Sequence, residues 1–109
     1  MQILVVGMGL IGGSICKSIK AVTEHTVYGC DVRQDVLEQA LEDGSIDGTG
    51  TMEDGAYDMI IVCLHQRIAI SLIQKALPRI KAGTILVDAC GLKGKMVRDL
   101  TYRCQKAGV

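Results

Sequence analysis

The chain has 109 residues, enough for one domain that buries about 65% of the surface its unfolded form exposes. Hydrophobic residues make up 49% and charged residues 22%, which excludes disorder driven by charge excess. Twelve Lys and Arg balance twelve Asp and Glu, and the aromatics are three tyrosines, so the composition offers no field for nucleic acid or anionic lipid and no base-stacking platform.

Two hydrophobic periods alternate along the chain. Gln2–Val6 is a short apolar run of the kind found in a fully buried parallel strand, and it stops at Gly7. Ile11, Ile15 and Ile19 then recur every four residues, which predicts a helix with that row inward. Thr26–Cys30 reads as a second strand ending at Asp31. Val36, Leu37, Ala40 and Leu41 form the stripe of a second helix, and Gly44 stands where a helix end takes a left-handed residue. The polar, glycine-rich stretch Ser45–Gly55 predicts a brief strand near Ile46 followed by a loop.

Asp58–Leu64 holds the run Met59-Ile60-Ile61-Val62-Cys63, a central strand. Ile68, Leu72, Ile73, Ala76 and Leu77 mark a third helix closed by Pro78. Ala82-Gly83 is a turn, Thr84–Val87 a fifth strand ended by Asp88, and Lys93–Ala107 a last, basic helix with Val97, Leu100 and Cys104 inward. Alternating strands and helices predict an α/β fold: a doubly wound, Rossmann-like parallel sheet of strand order 3-2-1-4-5 in a single domain over residues 1–109. A full fold of this type carries a sixth strand, so the chain reads as a minimal domain or a fragment, with apolar surface that favours self-association.

The most informative stretch is Gly7-Met8-Gly9-Leu10-Ile11-Gly12, placed after a strand and opening a helix. Gly7 permits a tight turn, Gly9 lets a pyrophosphate approach the backbone, and Gly12 lets the helix lie close on the sheet. The helix N-terminus offers free amides and positive dipole to an anion. Asp31 follows Gly7 by 24 residues at the end of the second strand, where a carboxylate accepts hydrogen bonds from adenosine ribose hydroxyls. The pattern predicts dinucleotide binding. Asp31 favours NAD, because a 2′-phosphate meets a like charge there; Arg33 can stack on adenine or pair with a phosphate and leaves NADP open.

The five cysteines, at 16, 30, 63, 90 and 104, are odd in number, widely spaced and without a CxxC pair, which predicts reduced thiols rather than a disulfide or zinc framework, and no metal site. The apolar start lacks a basic leader segment and is too short to span a bilayer, so a cytoplasmic location is expected, with no membrane and no nucleic-acid partner.

Gly7-Met8-Gly9-Leu10-Ile11-Gly12-Gly13-Ser14 closely resembles the GLGLIGGS opening of the prephenate dehydrogenase family. Leu41–Asp47 is similar to that family's helix-end segment, and Ala82-Gly83-Thr84 with Val87–Gly94 to its strand-end segment carrying Asp88 and Lys93. The resemblance implies an NAD-dependent oxidoreductase that decarboxylates prephenate, or its relative arogenate, toward tyrosine, acting as a homodimer in the complete enzyme. It implies a histidine as general base toward the ring hydroxyl. In the family that histidine lies in a His-Pro motif after the Lys93 segment; no His-Pro occurs in these residues, nor does the helical domain that completes the substrate pocket. The family's Ser-Pro or Tyr-Pro after the fourth strand is replaced by His65-Gln66.

The expected cofactor-binding set is Gly7, Met8, Gly9, Leu10, Ile11, Gly12, Asp31, Arg33, Leu64 and His65. His65 and Lys93 are the candidates for contact with the reacting groups, with Asp88 orienting a neighbour, while His25 reads as surface. Cys63 and Cys90 fall near the same crevice without a histidine partner in the sequence pattern. The competing readings are a nucleotide-sensing module without turnover and an S-adenosylmethionine-dependent methyltransferase; the third glycine and the Gly-Gly-Ser opening weigh against the latter.

Overall fold

The apolar runs become the strands of one parallel sheet. The computed structural model describes residues 1–54 and 57–89. Strands β1 (Gln2–Val6), β2 (Thr26–Cys30), β3 (Gly48–Thr49), β4 (Met59–Val62) and β5 (Ile85–Asp88) lie in the order β3-β2-β1-β4-β5, as the alternation predicts. Helix α1 (Leu10–Val22) joins β1 to β2, α2 (Gln34–Glu42) joins β2 to β3, and α3 (Gln66–Ala76) joins β4 to β5. In the ladder Val6 pairs with Cys30 on one side and Val62 on the other, so three strands end level beside Gly7.

Successive residues of a strand point to opposite faces, and both faces of β1 are covered, which is why its sequence is continuously apolar. Leu4 and Val6 pack with Ile60, Val62, Ala69, Ile73 and Ala76 beneath α3. Ile3 and Val5 pack with Cys16, Val27, Leu37, Ala40 and Ile46 beneath α1 and α2. Each fully buried side chain of the size of Leu4 or Ile73 contributes about 1.5–3 kcal/mol relative to exposure.

The helical rows need correction in one consistent way. On α1 the buried residues are Gly12 and Cys16, Ile15 and Ile19 pack partly against the core, and Ile11 is 59% exposed. On α3 Ala69, Ile73 and Ala76 are buried, while Ile68 and Leu72 are exposed. At about 100° per residue, Ile11 and Ile68 each lie about 100° from the following small residue, which is the one that faces the sheet. Leu41 of α2 likewise turns outward. The expected strand near Ile46 begins two residues later. Ser45 and Ile46 still donate their amides to Ala40 O at the end of α2, and the Ile46 side chain fills the face of Gly29; sheet bonding starts with Asp47 N to Val27 O. Gly44 takes φ +78 at that helix end, as expected. β4 stops at Val62, short of the expected Leu64, and β5 starts at Ile85, since the Thr84 amide still closes the preceding turn onto Lys81 O, its hydroxyl donating to Tyr57 O. Pro78 sits in a 3-10 turn, Leu77–Arg79, directly after α3. The expected helix Lys93–Ala107 lies outside the described residues. Among the described residues no helix is long and apolar enough to cross a membrane.

The segment joining α2 to β3 is tied to the rest by one carboxylate. Asp47 Oδ2 accepts from Val27 N at 2.9 Å, and both its oxygens accept from Lys20 Nζ at 2.9–3.0 Å. The Val27 amide, then Lys20, holds the Asp47 carboxyl below its ordinary value. A folded-state pKa below the unfolded one stabilises the fold above the ordinary value of 3.8, and that contribution disappears as pH falls through the lower folded value. Asp47→Ala is expected to lower stability by roughly 1 kcal/mol at neutral pH. In urea melts the difference from the parent chain shrinks as pH is lowered below the ordinary carboxylate range; a constant difference would contradict the linkage.

Candidate functional site: the glycine corner at the carboxyl edge of the sheet

The turn out of β1 is built by contacts that exclude side chains. Gly7 donates its amide to Cys30 O at 2.7 Å, and Cys63 donates to Val6 O at 2.7 Å, so the corner is held between β2 and β4. Gly7 has φ +94, and a Cβ there would stand 2.6 Å from Cys63 O and 2.9 Å from Leu64 Cδ2. A Cβ on Gly12 would stand 1.8 Å from Gly7 O, so the first turn of α1 presses on the corner itself. Gly9 is different. Nothing lies within 4 Å of the position its Cβ would take, and it is the N-cap of α1 with no side chain capping it. No acidic residue stands in that first turn. The opening amides of α1 and the positive end of its dipole therefore face open space over a bare backbone, the arrangement that receives an anion.

Met8 between these glycines points inward. It is 6% exposed, and its thioether accepts from the buried Cys16 thiol at 3.8 Å. Its amide donates to Asp31 Oδ2 at 2.8 Å, which fixes the carboxylate at the end of β2 directly onto the glycine turn. The Asp31 side chain is 6% exposed and pairs with Arg33, whose own side chain is 54% exposed. The Arg33 guanidinium, followed by the Arg33 and Met8 amides, holds the Asp31 carboxyl well below the usual carboxylate range against the opposing effect of burial. Asp31 is thus an anion of the kind that accepts hydrogen bonds from hydroxyls, pinned at one end of the corner. Leu10 and Ile11, both exposed, flank it on the side of α1.

On the other side Leu64 packs against Gly7 and is half-buried, and the exposed His65 is the N-cap of α3, its carbonyl accepting from Ala69 N at 2.8 Å. The sheet order places β4 beside β1, so Leu64 and His65 follow the strand next to the glycine corner. The structure thus brings together Gly7, Met8, Gly9, Leu10, Ile11, Gly12, Asp31, Arg33, Leu64 and His65 along one edge of the sheet. His25 lies elsewhere, its Nδ1 3.0 Å from the Met1 amino group. Asp88 ends β5; Lys93 and Cys90 lie outside the described residues.

Sequence reasoning missed a groove of about 700 Å³ between α1 and α2. It is lined by Gly9, Leu10, Gly13, Ser14 and Lys17 from the glycine turn and α1, and by Arg33 from the start of α2. Its only sequence signal is that Gly13 and Lys17 fall one helical turn apart on the face of α1 away from the sheet.

The thiols near the corner are poor nucleophiles. Burial, then the nearby Asp88 carboxylate, pushes the Cys63 thiol up, and burial drives Cys16 to about 11. A thiolate is the reactive form, so at neutral pH Cys16 is expected to resist thiol-disulfide reagents in the native chain and to react at the rate of a free thiol only after denaturation. Stoichiometric native labelling of Cys16, read by peptide mass, would contradict its burial.

Comparison with known proteins agrees with this geometry. Residues 2–109 match the family described as the NAD binding domain of 6-phosphogluconate dehydrogenase. A prephenate dehydrogenase of Lactococcus lactis subsp. cremoris is 35% identical over 100 residues, covering 88% of this chain and 28% of that protein. Among solved structures, prephenate dehydrogenase from A. aeolicus, in complex with hydroxyphenyl propionate and NAD+, superposes with a TM-score of 0.87 at 28% identity over 98% of this chain and 40% of that one. Synechocystis arogenate dehydrogenase gives 0.81 at 25% identity over 92% of this chain and 37% of that one. The chain thus spans well under half the length of each of these relatives. All three are dehydrogenases, so neither a freestanding sensor nor a methyltransferase is favoured. The chain belongs to the family of NAD-binding domains of 6-phosphogluconate dehydrogenase, and within that fold it is similar to prephenate and arogenate dehydrogenases, as the Gly-Gly-Ser opening implies.

Proposed function

We propose that residues 1–109 form the cofactor-holding domain of an NAD-dependent dehydrogenase acting on prephenate or arogenate. The observation that carries this reading is the open backbone of Gly9 at the uncapped start of α1, tied through the Met8 amide to the Asp31 carboxylate. An adenine dinucleotide presents the two groups that such a pair receives, a pyrophosphate and a ribose diol. The first amides of α1 hold the pyrophosphate, and Asp31 accepts hydrogen bonds from the ribose hydroxyls. Leu64 and His65 border the site where the chain leaves β4, and Leu10 and Ile11 shield it from water. When bound, the nicotinamide supplies the hydride acceptor. The residues described here bind and orient. In this reading the general base and the rest of the substrate pocket come from elsewhere in the complete enzyme, which works as a homodimer in the cytoplasm.

The roles of the open Gly9 and the buried Gly12 separate experimentally. Gly9→Ala meets no protein atom, so it is expected to lower the thermal melt only by the modest cost of Ala at an N-cap and to weaken NADH binding at least tenfold by crowding the pyrophosphate. Gly12→Ala collides with Gly7 O and is expected to cost about 2–3 kcal/mol of stability. Asp31→Ala is expected to weaken NADH by about 10- to 100-fold, the range for a lost charge-assisted hydrogen bond or two. Titration of the chain by calorimetry or nicotinamide fluorescence measures the two affinities, and a thermal or urea melt measures the stabilities. Undiminished NADH affinity in both Gly9→Ala and Asp31→Ala would end the reading.

A further inference from the structure

The Asp31 carboxylate has no spare acceptor position in the free chain. Oδ1 accepts from Arg33 N at 2.9 Å and Arg33 Nε at 3.1 Å; Oδ2 accepts from Met8 N at 2.8 Å and Arg33 Nη2 at 2.9 Å. A carboxylate offers about four lone-pair positions, and these four donors take them all. Two of the donors are main-chain amides fixed by the glycine turn and by the start of α2. The other two belong to one guanidinium on a side chain that is 54% exposed, against 6% for Asp31. A ribose diol that donates to Asp31 needs the positions the guanidinium occupies. The inference therefore rests on the role proposed above for Asp31.

We propose that Arg33 is a displaceable counter-ion: it occupies Asp31 in the free chain, the adenosine ribose must drive it off, and the ligand's 2′ substituent decides whether the released guanidinium finds a new partner. An unphosphorylated ribose takes the carboxylate and leaves the cation in solvent. A 2′-phosphate takes the carboxylate's partner as well, because a guanidinium binds phosphate in the same forked geometry as a carboxylate. Arg33 and Lys17 both line the groove between α1 and α2, together with Gly9, Leu10 and Ser14, so the displaced side chain has room there beside a second cation. The consequence is opposite for the two ligands. Arg33 opposes binding of the unphosphorylated dinucleotide and supports binding of the phosphorylated one, which narrows the preference that Asp31 alone would impose.

The test uses the full chain with NADH and NADPH as probes. Arg33→Ala is expected to bind NADH about three- to tenfold more tightly and NADPH more weakly, so that the ratio of the two affinities rises about tenfold or more; Arg33→Lys, which keeps the charge but not the fork, falls between. In 15N-labelled parent chain the Arg33 Nε–H resonance is expected to shift from its hydrogen-bonded position when NADH saturates the site. Unchanged or weaker NADH binding by Arg33→Ala, or an Arg33 Nε–H signal that does not move at saturation, would overturn the proposal. Asp31→Ala tells the two failures apart. If that variant loses NADH while Arg33→Ala gains nothing, only the counter-ion role fails; if it keeps NADH, the ribose assignment fails with it. A circular-dichroism melt checks that each variant is folded, and the resonance measurement needs no variant at all.

Discussion

A Cβ on Gly12 would come within 1.8 Å of the Gly7 carbonyl oxygen, so the first turn of α1 lies against the end of β1 at a distance only a hydrogen can fill. That contact sets the rest of the site. With α1 this close, its axis starts at the carboxyl edge of the sheet rather than beside it, and its first amides open over Gly9 instead of over packed side chains. Gly7 is forced into φ +94 by the same crowding, since the chain must turn between Cys63 O and the start of the helix in one residue. A larger residue at either position moves the helix start outward and separates the anion-receiving amides from the carboxylate at the end of β2.

The second requirement is that the carboxylate stay where the turn needs it. Met8 meets it with both ends. Its side chain is buried against Cys16 in the core under α1, and its amide is bonded to Asp31. The polar contact is therefore anchored by apolar packing: the burial of Met8 fixes the direction of its N–H, and the N–H fixes Asp31. A rigid acceptor next to a rigid set of donors is what recognition of a diol next to a diphosphate demands, because little ordering remains to be done when the ligand arrives. Arg33 is the flexible member of this set, exposed where its partners are not.

The strand order, the glycine corner and Asp31 were legible in the sequence because each leaves a residue pattern: unbroken apolar runs, glycines at fixed spacing, and an acid at a strand end. The inward faces of the helices were not. Rows of large aliphatics pointed to Ile11 and Ile68 as core, yet Gly12, Cys16 and Ala69 occupy the centre of each contact. A helix that lies close on a sheet puts its smallest side chains at the line of contact and its large ones on the flanks, so a search for big apolar residues finds the flank. β3 was misplaced for a related reason. Ile46 is nearly fully buried and looks like strand, but its amide still closes α2, and the two residues that do pair, Gly48 and Thr49, carry no hydrophobic signal. The groove between α1 and α2 left only the spacing of Gly13 and Lys17, because a gap is a property of two helices together and of neither alone.

Charge was the least informative feature of the sequence, and the structure gives the reason. Asp43, Asp47, Asp54 and Asp58 each accept a main-chain amide: Asp43 and Asp54 close local turns onto Ser45 and Thr51, and Asp47 and Asp58 stitch their loops to Val27 of β2 and Gln2 of β1. Asp31 does the same through Met8 and Arg33. By its bonding alone it is one more structural tie, and its lowered pKa is shared with Asp43, Asp47 and Asp54. What sets it apart is which amide it holds. The other four bind segments that remain inside the fold, whereas Asp31 holds the turn whose next residue, Gly9, is bare and open. A stitch placed at that point keeps the opening amides of α1 and the Asp31 carboxylate in register, so the hydrogen bond that stabilises the corner also sets the spacing between them.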